Sequence, residues 1–475
     1  MSKFKMSKEF IGRDNDLAFL ENNYKKAATE SQLIILTGEI RVGKTRLIKT
    51  FYNKKPHIYF NCNKGSSQDQ LETAVEYFAN EFEDTILDKK SIADWNTFFK
   101  YLSGKLKLLK VQFVIIFDEF QNLIESDKNI VETFLNNWGT YLQDKNLLLI
   151  LSSSDKNLIN KYNFIKNTQG LAIPSWHVEN FDFETTKKCF SDQNFEKIFS
   201  VYTLTGGVPA YLHEINGKKN LKEIILQTFL DKSSYLSIEA YLLLNQEFND
   251  SKIYLTVFKA IGLGGQKFAD LAQKTGLASN QLSVYLNNLI KLGFIKRVLP
   301  VTILDPDKSK KGLYLINNYF LRFYFSYIFT NTSLIESGNL DTLFKNNQLI
   351  LDKLISLAYH EYALEMISSL SFNGKIATYK YLGKWWDEQE NISVLGFNLD
   401  NGNKLFVDVF WKNRLVGIKD LDNLKQKARS LKWADGYDKN CKFGLVSNTG
   451  FSLELLKLSK IEDIILIKED KFISN

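Results

Sequence analysis

Cysteine, histidine and proline are scarce in these 475 residues, with three, four and five of each. Cys62, Cys189 and Cys441 stand far apart, with no Cys-x-x-Cys pair and no histidine cluster, which excludes a disulfide framework and a zinc site. They read as small buried hydrophobes in a reducing cytoplasm. Few prolines and 25 glycines beside a 44% hydrophobic fraction exclude a disordered chain and describe a helix-rich globular one. Long apolar runs are missing too. The most membrane-like stretch, residues 313–329, carries Asn317, Asn318 and Arg322, is shorter than a span, and reads as a buried aromatic helix. The opening MSKFKMSKEF has no apolar core of signal-peptide length, so neither a leader nor a membrane partner is expected. A net charge of +7 permits nucleic-acid contact without requiring it. The length is too great for one core and suggests roughly three domains.

What is present concentrates in residues 33–50, LIILTGEIRVGKTRLIKT. A buried-strand run, 33–37, meets a loop of Gly38, Glu39, Ile40, Arg41, Val42, Gly43, Lys44 and Thr45, followed by an amphipathic helix with Arg46 in its first turn. This is the full GxxxxGKT pattern in a strand-loop-helix setting. Backbone N–H groups can wrap a triphosphate only if the chain turns without a Cβ in the way, which Gly38 and Gly43 allow. The helix aims its positive end at the phosphates. Residues 38–46 are therefore expected to hold ATP. Lys44 is the point charge for the β and γ phosphates and a catalytic group, and the Thr45 hydroxyl is a ligand for Mg²⁺.

A second chemical stretch is VQFVIIFDEFQN, residues 111–122. The unbroken apolar run 113–117 predicts a strand buried on both faces, ending in Asp118 and Glu119. Carboxylates at the C-terminal end of a parallel strand lie in the crevice where such sheets bind ligands. Asp118 suits the metal and Glu119 the base that orients or deprotonates the attacking water. Residues 57–61 predict another strand, and 68–82 and 92–109 predict helices. A third buried strand, 147–151, ends in Ser152, Ser153, Ser154 and Asp155; a polar side chain there suits contact with the γ-phosphate or the water, though serines also close ordinary turns.

These stretches, together with FIGRDNDL before the loop and YTLTGGVPAYL at residues 202–212, resemble the prokaryotic archaeal-type AAA+ ATPases. That family carries a winged-helix segment and a C-terminal domain related to restriction-endonuclease folds. The resemblance implies that FIGRDNDL packs near the adenine and that YTLTGGVPAYL opens a helical lid, with Gly206 and Gly207 before Pro209 making a tight bend. It also implies an arginine shortly after the third-strand serines, a candidate finger or sensor. Residues 163–173, NFIKNTQGLAI, contain none. Lys161 and Lys166 are the nearby cations, and a lysine lacks the planar fork that grips a phosphoryl group.

Residues 253–297 read as three short helices of helix-turn-helix type. Leu282, Leu286 and Leu289 face the core, and Asn280, Gln281, Ser283 and Tyr285 face outward. A β-wing over 294–301 and 312–316 completes the resemblance to a winged helix, a module that serves DNA, protein contact or structure alike. From about 349 the chain resembles the PD-(D/E)xK nuclease fold, with Glu361 as the first-helix acid and two paired strands within 384–411. The resemblance puts Ser393, Asp408 and Phe410 where a nuclease needs an aspartate, an acid and a lysine, so nuclease activity is not expected. Lys412 would share a strand face with Asp408, and Lys419, Lys425, Lys427 and Arg429 form a basic helix.

The expected architecture is α/β: a P-loop core with a parallel sheet (1–180), a helical lid (181–245), a winged helix (246–330) and a degenerate nuclease-like α/β domain (331–475). The expected activity is Mg²⁺-dependent ATP hydrolysis moving the later modules; the alternative is an ATP-bound scaffold with little turnover. DNA, a protein partner and a second copy of the chain remain open as partners.

Overall fold

Apolar runs without polar interruption need cover on both faces, and the N-terminal strands find it. In the computed structural model, which describes residues 10–109, 111–155, 158, 173–248, 250–306, 309, 311–431 and 440–473, they are β1 (Gln32–Gly38), β2 (His57–Asn61), β3 (Phe113–Asp118), β4 (Leu147–Ser153) and β5 (Ser175–Val178). They form one parallel sheet in the order β2-β3-β4-β1-β5. Every residue of β3 and β4 is buried. Alternation sorts neighbours onto opposite faces. Leu33, Ile35, Phe117 and Leu149 pack with Phe78, Phe98 and Phe134 on one side, while Ile34, Leu36, Ile116 and Ile150 pack with Leu20, Leu47 and Phe51 on the other.

Register sets the function-bearing edge. Thr37 lies opposite Ser153, Phe117 opposite Leu151, and Asn61 opposite Asp118, so the C-terminal ends of β1, β3 and β4 stand level. Two expected boundaries move and one strand is new. β4 runs two residues beyond 151, making Ser152 and Ser153 strand residues. The helix expected from 92 begins at Trp95 (Trp95–Leu109), because Lys89–Ser91 forms a separate 3-10 turn capped by the Asp88 side chain. Strand β5 was not expected at all.

Contacts divide the chain into two compact units, Met1–Cys189 with Gly207–Glu214, and Phe190–Gly206 with Ile215–Asn475. In the second, helices Lys252–Gly262, Phe268–Thr275 and Ser279–Lys291 precede an antiparallel pair, β6 (Ile295–Val298) and β7 (Leu313–Ile316). Leu282, Leu286 and Leu289 are buried; Asn280 and Gln281 are exposed, whereas Ser283 and Tyr285 are half-buried, Tyr285 edge-on to Tyr254. Between the two expected wing strands, residues 307, 308 and 310 lie outside the described residues, as do Lys161 and Lys166. The stretch 313–329 begins as strand β7 and turns helical only at Tyr319.

A 33-residue helix, Leu340–Phe372, then leads into β8 (Tyr381–Trp386), β9 (Asn391–Phe397), β10 (Lys404–Phe410), β11 (Cys441–Ser447), β12 (Ile464–Lys468) and β13 (Lys471–Ile473). They form one mixed sheet in the order β13-β12-β11-β10-β9-β8. Residues 384–411 thus span parts of three strands rather than two. Among the described residues no helix is long and apolar enough to cross a membrane. All three cysteines are free; Cys62 is buried and the others half-buried.

Candidate nucleotide-binding site

The loop after β1 is built around two glycines with different jobs. A Cβ on Gly38 would stand 2.7 Å from the Val178 carbonyl oxygen of β5, so only glycine lets these strands close up. Gly43, at φ +94°, occupies the left-handed region as N-cap of the helix Lys44–Tyr52. Arg41 also adopts a positive φ, 71°, a strained conformation of the kind that gathers at functional sites. The Val42 side chain belongs to the core beneath the loop, so it can offer a ligand only its backbone. Arg46 lies on the exposed side of the helix, its guanidinium 5.9 Å from the centre of the Phe10 ring. Glu39 is exposed and Ile40 half-buried.

Lys44 is buried, and its ammonium donates to the carbonyls of Gly38 (2.7 Å) and Glu39 (3.2 Å). Burial pushes its pKa down, opposed by the charges of Glu119, Asp118 and Glu39. Thr45 Oγ1 donates to Asp118 Oδ2 at 2.9 Å. Asp118, 1% exposed at the end of β3, also accepts the Glu119 N–H on Oδ1 at 3.0 Å and the Tyr59 hydroxyl on Oδ2. The fold therefore brings Lys44, Thr45, Asp118 and Glu119 to one edge of the sheet from two segments some seventy residues apart. A hydroxyl beside a carboxylate is a hard-oxygen donor set suited to Mg²⁺.

Glu119 sits at φ +53° and is held by Gln121, to which no motif assigns a role, and by Ser154, one of the serines expected near the γ-phosphate or the water. Gln121 Nε2 and Ser154 Oγ (3.1 Å) both donate to its Oε2. Gln121 in turn accepts on Oε1 from Ser153 Oγ (2.8 Å) and the Ser154 N–H (3.3 Å). Of the three serines after the third-strand run, Ser153 and Ser154 thus join the carboxylate's network, while Ser152 Oγ is buried with no partner among the described residues.

Arg13, within the FIGRDNDL stretch expected near the adenine, has a role of its own that the sequence did not give. Its Nη2 donates to the Val42 carbonyl at 2.7 Å, its Nη1 to the Glu179 carbonyl at 2.8 Å and to Asp16 Oδ2 at 3.2 Å, and its guanidinium lies 4.6 Å from the centre of the Phe181 ring. The FIGR entry therefore ties the phosphate loop to the chain after β5. Gly12 before it has φ +69°, and a Cβ there would overlap Thr185 Cγ2.

The C-terminal positions form a different arrangement from a nuclease centre. Glu361, expected as the first-helix acid, is gripped by Arg322 through 2.9 and 3.2 Å bonds and by Lys296 at 2.8 Å. Asp408 accepts from Ser393 Oγ at 3.3 Å and pairs with Lys427 at 2.9 Å, beside an open pocket of ≈ 290 Å³ lined in part by Phe410 and Lys412. Because β10 ends at Phe410, Lys412 lies past the strand, its ammonium 4.6 Å from the centre of the Phe410 ring. Of the basic helix, observed as Ile418–Ser430, Lys425 pairs with Glu462 and Lys427 with Asp408, so both point to their own domain's acids rather than outward.

Residues 10–215 match the model of an ATPase domain found predominantly in Archaea, and residues 324–428 that of archaeal and bacterial proteins of unknown function. The uncharacterized protein MJECL04 of Methanocaldococcus jannaschii is 30% identical over 422 residues, covering 87% of this chain and 89% of the relative. Among solved structures, the Walker-type ATPase PABY2304 of Pyrococcus abyssi is 18% identical, covering 68% of this chain and 98% of that one, with a TM-score of 0.48. The ORC2 protein of Aeropyrum pernix, in ADPNP–ADP complexes, is 13% identical, covering 71% and 97%, with a TM-score of 0.47.

Proposed function

The chain belongs to the archaeal-type family of P-loop ATPases, and on that premise we propose that it hydrolyses ATP in a Mg²⁺-dependent reaction at the edge formed by residues 38–46, Asp118 and Glu119. One observation carries the reading: Thr45 Oγ1 and Asp118 Oδ2 are 2.9 Å apart at the foot of the loop, with Lys44 and Glu119 beside them. Loop N–H groups and the N-terminus of the helix Lys44–Tyr52 bind the phosphates. Lys44 exchanges its two carbonyl partners for β- and γ-phosphate oxygens. Thr45 would hold Mg²⁺ directly and Asp118 would hold it through Thr45 and water; bound, the ion would supply charge neutralisation of the phosphates. Glu119 orients the attacking water and takes its proton.

Nucleotide turnover would shift the bend at Gly206 and Gly207, both with positive φ, and through it move the winged-helix and C-terminal modules. The exposed Asn280 and Gln281 on the third helix support a DNA-linked output. A second reading is favoured by the absence of arginine from residues 163–173: an ATP-bound scaffold in the cytoplasm that recruits a protein partner or a second copy and turns over little.

Equilibrium titration with a fluorescent ATP analogue tests the site. Lys44→Ala removes a charged partner of the phosphates, so affinity is expected to fall roughly 10- to 100-fold, about 1.5–3 kcal/mol. Unchanged affinity would place the nucleotide elsewhere.

A further inference from the structure

Tyr59 lies at the middle of β2, on the strand face that turns toward the helix Lys44–Tyr52 rather than toward the aromatic core that takes Ile58 and Phe60. Its phenol reaches past β3 to the carboxylate that closes that strand. There it donates to Asp118 Oδ2, the same oxygen that receives the Thr45 hydroxyl at 2.9 Å. The other oxygen, Oδ1, is taken by the Glu119 N–H at 3.0 Å. Three donors thus fix a single carboxylate, and one of them is a side chain outside both sequence motifs.

The ring is held in turn. Lys49 Nζ lies 5.7 Å from its centroid, and the Tyr52 ring, itself stacked on His57 at 3.8 Å, packs 6.1 Å away.

We propose that Tyr59 is a positioning residue for the divalent cation: its hydroxyl holds the Asp118 carboxylate facing Thr45, so that the Thr45 hydroxyl is preset toward Mg²⁺ and the carboxylate toward the ion's water shell. The inference rests on the Mg²⁺-dependent reading above. When Thr45 Oγ1 turns its lone pair to the metal, its hydrogen still points at Asp118 Oδ2, and Tyr59 keeps that oxygen from rotating away. Losing such a partner behind a metal ligand typically weakens metal binding 10- to 100-fold, because the carboxylate must be ordered at the moment of binding.

The test reads binding rather than turnover. At fixed fluorescent ATP analogue, bound fraction is followed against Mg²⁺ concentration for the native protein, Tyr59→Phe, Asp118→Asn and the double variant, with a parallel titration in EDTA. The expected result is a rise of about tenfold in the Mg²⁺ concentration at half-effect for Tyr59→Phe, with nucleotide affinity in EDTA unchanged. In the Asp118→Asn background, Tyr59→Phe should add little, since both act through one carboxylate. A Tyr59→Phe curve that overlays the native one overturns this role while leaving the Mg²⁺-dependent ATPase standing. Equal weakening in EDTA overturns it as well, assigning Tyr59 to loop packing alone. Native binding that is indifferent to Mg²⁺ overturns both readings together.

Discussion

At the scale of single residues, the phosphate loop depends on a tether that its own motif does not contain. Arg13 uses two different nitrogens for two carbonyls, Val42 in the loop and Glu179 after β5, 29 and 166 residues away in sequence. A lysine carries the charge but no fork, so it can satisfy only one of them well. Arg13→Lys is therefore expected to weaken ATP binding roughly tenfold, the equivalent of one charged hydrogen bond at about 1.5 kcal/mol. Calorimetric titration checks this, and native affinity in the variant would remove Arg13 from the loop's support. The same contrast explains what could be read in advance. Gly38, Gly43, Lys44 and Thr45 were legible because phosphate wrapping needs neighbours in sequence. Asp118 and Glu119 were legible because they end a strand whose burial is written in its apolar run. Arg13, Tyr59 and Gln121 were not, because each acts through a partner chosen by tertiary contact; for Gln121 the only local hint is its place two residues after Glu119.

At the scale of elements, strands with full burial announced themselves and those with little did not. β2 and β3 fall within one residue of expectation, whereas β5, with a single buried residue among SWHV, leaves no periodic trace. The long helix Leu340–Phe372 was anticipated only as the helix that carries Glu361, since its remaining turns mix polar and apolar residues without a clean stripe. This helix carries adjacent residues with opposed electrostatic tasks. Burial, reinforced by Lys384, drives the His360 imidazole from 6.5 down to about 4, against the pull of Asp408 and Glu361. Burial raises the Glu361 carboxyl, but Arg322 and Lys296 outweigh it and bring the group from 4.5 to about 2. For His360 the unfolded chain binds the proton between those values and the native chain does not, so stability is lost as pH falls from 6.5 toward 4. For Glu361 the contribution is intact above 4.5 and lost as pH falls toward 2. Thermal unfolding is thus expected to weaken already between pH 7 and pH 5, and His360→Gln to flatten that part of the profile. A native profile that is flat from pH 7 to pH 5 would contradict the burial of a neutral imidazole.

At the scale of the whole molecule, a P-loop ATPase core is joined in one chain to three short helices with an antiparallel strand pair and to a mixed six-stranded sheet. Membership of the archaeal-type ATPases was legible because its motifs are local; the second unit was harder to read because its acids find their partners only through tertiary contacts. Where a nuclease would place acids and a lysine, Glu361 serves two cations and Asp408 serves Lys427, so the charges that might have faced a phosphodiester are spent on the domain's own cohesion. The most direct measurement is steady-state ATP hydrolysis by the native protein and by Glu119→Gln, each with and without duplex DNA. The predicted result is measurable native turnover, raised by DNA and reduced at least 100-fold in the variant, which still binds ATP. Turnover at background in both proteins, with ATP bound equally well, would contradict it and leave the scaffold reading in its place.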